Sequence, residues 1–118
     1  MFSAAVMDHV NRRRNCGPLA GATHHGVAGC PGDGPYAEIW LRVEGAKIES
    51  AAYATYGCAS AIACGSMTAE IVTGRTIEQA RRLNARDIVL LLGGIPEGKE
   101  HCASLAAEAL QRALPAAN

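Results

Sequence analysis

Tyr36-Ala37-Glu38-Ile39-Trp40-Leu41-Arg42-Val43-Glu44, then Gly45-Ala46, then Lys47-Ile48-Glu49-Ser50-Ala51-Ala52-Tyr53-Ala54-Thr55-Tyr56, is the stretch that decides the fold class. In its first run Tyr36, Glu38, Trp40 and Arg42 alternate with Ala37, Ile39, Leu41 and Val43, the period of a half-buried strand. The second run carries β-branched and aromatic residues, and Glu44-Gly45-Ala46 between the two reads as a turn, so together they predict a hairpin.

Downstream, Tyr56-Gly57-Cys58 leads into a helix predicted from about Ser60 to Thr73, with Ser60 as N-cap and Gly74 placed for a left-handed C′ residue. Thr76 and Gln79 fit a capping box opening a short helix that ends near Leu83. Asn84 or Asp87 caps a further turn carrying Ile88 to Leu92, and Gly93 to Gly98 is a turn-rich link. A last helix runs from about Lys99 to Leu114, where Cys102, Leu105, Ala106, Ala109, Leu110, Ala113 and Leu114 form one apolar stripe before Pro115.

Upstream, Phe2, Ala5, Val6, His9 and Val10 sit at helical spacing over residues 2–11, and Asn15-Cys16-Gly17-Pro18 closes that helix. From Gly17 to Pro35 the chain carries six Gly and three Pro with little periodicity, which predicts a long loop of the kind that is functional or disordered in small domains.

The 118 residues suit one domain, 1–118, of radius about 13 Å. Eleven basic and eleven acidic side chains cancel, which removes the electrostatic footprint of a nucleic-acid binder and leaves Arg12-Arg13-Arg14 as the one local basic run, a solvated turn or a docking patch for an acidic partner. No stretch reaches the roughly 18 apolar residues of a membrane span, and the start of the chain meets charge at Asp8, too soon for a secretory core, so the chain reads as cytoplasmic, with no membrane partner. In a reducing compartment the five cysteines are free thiols or metal ligands rather than a disulfide framework.

Three pieces could carry chemistry: Cys30-Pro31-Gly32-Asp33, Tyr56-Gly57-Cys58 and His101-Cys102. Each falls at a junction between elements, where distant positions converge at one end of a sheet. Thiolates with an imidazole and a carboxylate suit zinc or iron–sulfur ligation, although no C-x-x-C pair makes a local knuckle. Buried structural thiols are the alternative reading of the same cysteines. At the first turn of the last helix, unpaired N–H groups and the positive end of the dipole favour the Cys102 thiolate. Cys64 shares a helix face with Ala61, Thr68 and Ile71 and reads as core packing, as does Cys16 at a helix end. His24-His25 in the Gly-rich loop need no metal role, and His9 reads as packed or partly exposed.

Tyr56-Gly57-Cys58-Ala59-Ser60-Ala61-Ile62-Ala63, Ala69-Glu70-Ile71-Val72-Thr73-Gly74-Arg75-Thr76 and His101-Cys102-Ala103-Ser104-Leu105-Ala106 with Ala109-Leu110 resemble the iron–sulfur cluster scaffold proteins of the IscU/NifU N-terminal type. Asp8-His9 and Arg14-Asn15-Cys16-Gly17 resemble the N-terminal segment of that family, and the likeness covers most of the chain. The resemblance implies an α+β fold, with a small three-stranded antiparallel sheet, helices packed on it and the ligands at one exposed end. It implies a non-enzymatic scaffold that receives persulfide sulfur from a cysteine desulfurase and iron from a donor, assembles a [2Fe-2S] cluster and passes it to acceptor apoproteins. Carried over by motif, Cys58 and Cys102 are cluster ligands, His101 is a neighbouring ligand or proton-handling group, and Cys102 is the persulfide acceptor. Zinc can take the place of the cluster.

The chain departs from the family pattern in three places. The family's C-G-D precedes a strand directly, whereas Pro31-Gly32 separates Cys30 from Asp33 here. Either Cys30 ligates and Asp33 is the labilising carboxylate, or Asp33 fills the ligand place, a harder donor that gives a weaker cluster or a zinc preference. Ile95-Pro96-Glu97-Gly98-Lys99 keeps only the proline and lysine of the L-P-P-V-K read by a dedicated Hsp70-type chaperone, which predicts weak or absent recognition by it. Cys64-Gly65 stands where serines are usual, adding a thiol and weakening the helix through glycine. Two other classes stand beside the scaffold: a zinc-bound persulfide acceptor serving a desulfurase, and a divergent interaction protein of the same fold that binds no metal.

Overall fold

The computed structural model describes residues 4, 16–30, 34–56 and 59–115. The predicted helix over residues 2–11, with His9, and the Arg12-Arg13-Arg14 turn fall, Ala4 apart, outside the described residues.

The hairpin forms where the alternation places it. Strand β2 (Tyr36–Glu44) pairs antiparallel with β3 (Lys47–Tyr56), around a turn in which Gly45 takes φ 62°. Ala37, Ile39 and Leu41 face inward and are buried, as their spacing requires. A register shift between Arg42 and Val43 marks a bulge near the turn.

The Gly/Pro-rich segment is not all loop. His24–Gly29 form a strand, β1, on the free edge of β2, giving a three-stranded antiparallel sheet of order β1-β2-β3. Its glycines hid it from the sequence, and Gly26 has a packing reason to be there. A Cβ at that position would stand 2.3 Å from both the Ala109 carbonyl oxygen and the Ala113 amide nitrogen. Glycine inside this strand marks the close approach of another backbone, not a break. His24 and His25 therefore belong to a strand: His25 Nε2 lies 2.8 Å from Glu38 Oε2 and its ring stacks on Trp40 at 5.1 Å, while His24 Nδ1 lies 2.8 Å from Thr23 Oγ1.

Four helices are described: α1 (Ala59–Val72), α2 (Ile77–Arg81), α3 (Ala85–Leu91) and α4 (Glu100–Ala113). Helix α4 crosses β1 and β2, α1 lies on β3, and the two helices pack on each other. One core, with Ile39, Leu41, Ile48, Tyr53, Val72 and Leu110, fills the space between sheet and helices. A second, with Ala63, Cys64, Ile88, Leu92, Cys102, Ala103 and Ala106, joins α1, α3 and α4. The result is the expected α+β arrangement.

The local signals hold where they are purely local. Thr76 caps α2 in a capping box with Gln79, the two bonds at 3.0 and 3.1 Å. Asn84, not Asp87, is the cap of α3; Asp87 is its reciprocal partner, at 2.9 and 3.1 Å. Gly74 has φ 85°. Two expectations fail. Helix α1 already includes Ala59, so Ser60 lies inside the first turn rather than capping it. Cys16 is exposed rather than packed, because it lies alongside β3, bridging Tyr53, with Gly17 N donating to the Tyr53 carbonyl at 2.7 Å. Among the described residues no helix is long and apolar enough to cross a membrane.

Candidate functional site

The register brings Gly29, Tyr36 and Tyr56 into one row across the end of the sheet. The Tyr36 and Tyr56 rings lie nearly parallel, 6° apart with centroids 6.4 Å apart. The chain leaves β1 at Gly29, with φ 85°, where a Cβ would meet the Pro35 carbonyl oxygen at 2.4 Å. Cys30 follows immediately and is exposed. Strand β3 ends at Tyr56 and α1 starts at Ala59.

Helix α4 supplies the other wall. After Gly98, with φ 87°, Lys99 is the N-cap residue and makes no side-chain cap bond, and α4 starts at Glu100. His101 and Cys102 therefore occupy its first turn. The Cys102 amide donates to the Lys99 carbonyl at 3.0 Å, and Cys102 Sγ lies 3.7 Å from His101 Nε2. Both residues, with Lys99, Tyr36, Tyr56 and Ala61, line a cleft of about 130 Å³. His101 is exposed, whereas Cys102 is 5% exposed and reaches the second core, so it serves both the stripe of α4 and the cleft.

Of the five candidate site residues, His101 and Cys102 stand together. Cys30 leaves the sheet at the same end, beside the row that Tyr36 and Tyr56 continue. Asp33 and Cys58 fall outside the described residues. Among the described residues no three His, Cys, Asp or Glu side chains stand in one metal-binding group. Cys64 is fully buried, as its helix face predicts. A soft sulfur donor, an imidazole and the Lys99 ammonium on one cleft suit a thiophilic metal or an anionic metal–sulfur group. Lys99 was visible in the sequence only as a remnant of a chaperone motif. The signal for its place at the cleft was a cation two residues ahead of His101 at a helix start.

Residues 1–116 match the NifU-like N terminal domain. The chain belongs to that family. Curated relatives of this NifU-like chain include "Iron-sulfur cluster assembly scaffold protein IscU 1" of Archaeoglobus fulgidus, 40% identical over 114 residues, covering 97% of this chain and 74% of the relative. The IscU scaffold protein of Aquifex aeolicus is 39% identical over 115 residues, with 96% and 73% covered. That of Buchnera aphidicola is 37% identical over 117 residues, with 96% and 91% covered. A crystal structure of a candidate SUF-system scaffold from Fervidobacterium islandicum superposes with TM-score 0.73 over 97% of this chain and 96% of that one; at 20% identity it supports the NifU-like fold alone.

Proposed function

We propose that this chain, as a single domain over residues 1–118, is a non-enzymatic cytoplasmic scaffold on which an iron–sulfur cluster of the [2Fe-2S] type is assembled and then passed to apoproteins. The observation that carries the reading is the His101–Cys102 pair at the mouth of α4, 3.7 Å apart and lining one cleft with the tyrosine row at the end of the sheet. Family membership supplies the rest of the reading: its relatives are named as cluster assembly scaffolds.

In this reading the cluster is cargo. Cys58, Cys102 and Cys30 hold its iron, His101 is a fourth donor or moves a proton at Nε2, and Asp33, three residues after Cys30 in the chain, keeps the cluster labile. Cys102 also accepts sulfur. Its thiolate attacks the outer sulfur of a persulfide on a cysteine desulfurase, the donor's S–S bond breaks, and the desulfurase leaves as a thiolate. Lys99 offsets the negative charge of these species. Iron comes from a separate donor, and the dedicated Hsp70-type chaperone binds poorly because Glu97 and Gly98 stand where its motif has proline and valine.

The test is purification without oxygen, reconstitution with a desulfurase, iron, cysteine and a thiol reductant that supplies the two electrons taking each persulfide sulfur to sulfide, and analysis of iron, zinc and acid-labile sulfide. Iron and sulfide in near-equal amounts, and transfer of both to an apo-ferredoxin, are expected. Zinc without sulfide after reconstitution overturns the scaffold in favour of a zinc-bound sulfur acceptor, and no metal at all leaves only an interaction protein of this fold.

A further inference from the structure

The hydroxyl of Ser60 is an unexplained polar atom at the site end of the molecule. Ser60 is 0% exposed, and its Oγ has no hydrogen-bond partner among the described residues. Buried hydroxyls are nearly always paired, because water that once satisfied them is gone. Serine and threonine within helices commonly pair with the carbonyl four residues back. Thr68 does so with Cys64, and Thr73 with Ala69, each at 2.7 Å. That route is closed to Ser60. Four residues back is Tyr56, the last residue of β3, which offers no helical carbonyl.

Its place in the fold points the same way. Ala63 and Cys64, three and four residues on, are fully buried and pack with Cys102 and Ala103 of α4. Residues at these spacings share a helix face. Ser60 therefore lies one turn nearer the open end on the face of α1 that meets the Cys102 turn. Ala61, next to it, lines the cleft with Cys102, and Ser60, fully buried, stands behind that lining rather than in it.

We infer that Ser60 is a positioning residue of the loaded site, donating its O–H to a sulfur of the bound cluster or its ligands and so slowing release of the cargo. This deepens the proposed function and rests on it. A buried donor with no partner among the described residues costs stability in the empty protein and gives it back when an anionic sulfur arrives. Hydrogen bonds to ionised acceptors are the stronger class, and those to sulfur tune a cluster's electronics.

The experiment compares wild type with Ser60→Ala, and with Ser60→Gly as a second donor-free variant should the first fold poorly. The empty and the anaerobically reconstituted proteins are both used. Expected for Ser60→Ala is thermal stability of the empty protein equal to or above wild type, with Ser60→Gly below Ser60→Ala through its lower helix propensity, and for both variants loss of cluster to a chelator faster by about tenfold. A shift of the sulfur-to-iron charge-transfer absorption to lower energy is also expected, because a purely structural serine would not move it. Unchanged absorption and release overturn the inference, and a less stable empty variant then makes Ser60 a packing residue. A wild-type protein that holds no cluster after reconstitution instead overturns the functional reading itself, and the inference with it.

Discussion

Gly26 in β1 lies against the backbone of α4, so closely that a Cβ there would stand 2.3 Å from the Ala109 carbonyl oxygen. Both partners are main chain and cannot swing aside. Gly26→Ala must therefore lift α4 or shift the edge strand, and overpacking of this kind costs about 1–3 kcal/mol. A lower denaturation midpoint is expected, together with weaker metal loading, since the displaced helix carries His101 and Cys102. A variant as stable as wild type would contradict the close approach.

Gly65 has a different neighbour. A Cβ on it would stand 2.7 Å from Tyr53 Cδ2 and 3.0 Å from Thr55 Cγ2, and Tyr53 is only 1% exposed, so its ring has no room to turn. Gly65→Ala gains about 1 kcal/mol of helix propensity. The contact outweighs that gain, and net destabilisation is expected. Combining it with Tyr53→Val relieves the clash, so the double variant should be more stable than the sum of the singles. Simple additivity, measured by urea unfolding, would show that Tyr53 is not what excludes a side chain at 65.

These two glycines show where a sequence can be read and where it cannot. The β2–β3 hairpin and the caps at Thr76 and Asn84 rest on residues adjacent in sequence, and alternation or a four-residue box suffices to see them. At Gly26 the reason for the residue is a helix more than eighty positions downstream, so local punctuation predicted a loop. Gly65 read as a defect in a helix because its cause, the Tyr53 ring, lies on another element. At the site, His101 and Cys102 were legible because they are neighbours at a helix start. Lys99 and the tyrosine row were not, because the cleft arises only when the sheet register sets Tyr36 and Tyr56 beside the first turn of α4.

Glu44 titrates above its ordinary value of 4.5, held there first by a side-chain hydrogen bond with Glu49, then by the charge of Glu49 and slight desolvation; Arg42 opposes the shift. A carboxyl whose folded value is raised favours the protonated folded state. Its stabilising contribution is whole below 4.5 and is lost as pH rises through the raised value. Glu44→Gln removes the repulsion and keeps the Arg42–Glu49 pair, whose Nε and Oε2 lie 3.6 Å apart. A small rise in thermal midpoint at neutral pH is expected, shrinking to nothing as the pH falls below the carboxylate range. A gain that persists in acid would mean that the repulsion is not its source.

The cysteines should sort by function in one set of variants. Cys64 is fully buried in the second core, so Cys64→Ala should lower stability by about 1 kcal/mol and leave the cluster content of reconstituted protein unchanged. Cys102→Ala and Cys58→Ala should abolish loading. Cys30 leaves the sheet one residue beyond Gly29, beside the row that Tyr36 and Tyr56 extend toward Cys102, and it is exposed to incoming iron. Cys30→Ala should therefore lose the cluster, while Asp33→Ala should retain it and release it more slowly, since a hard oxygen donor that competes for iron has been removed. The decisive measurement is visible absorption after anaerobic reconstitution. A full cluster on Cys30→Ala, with none on Asp33→Ala, would transfer the ligand place to Asp33. The softer thiolate at 30 would then be incidental, and a carboxylate in the set would favour zinc over a stable cluster.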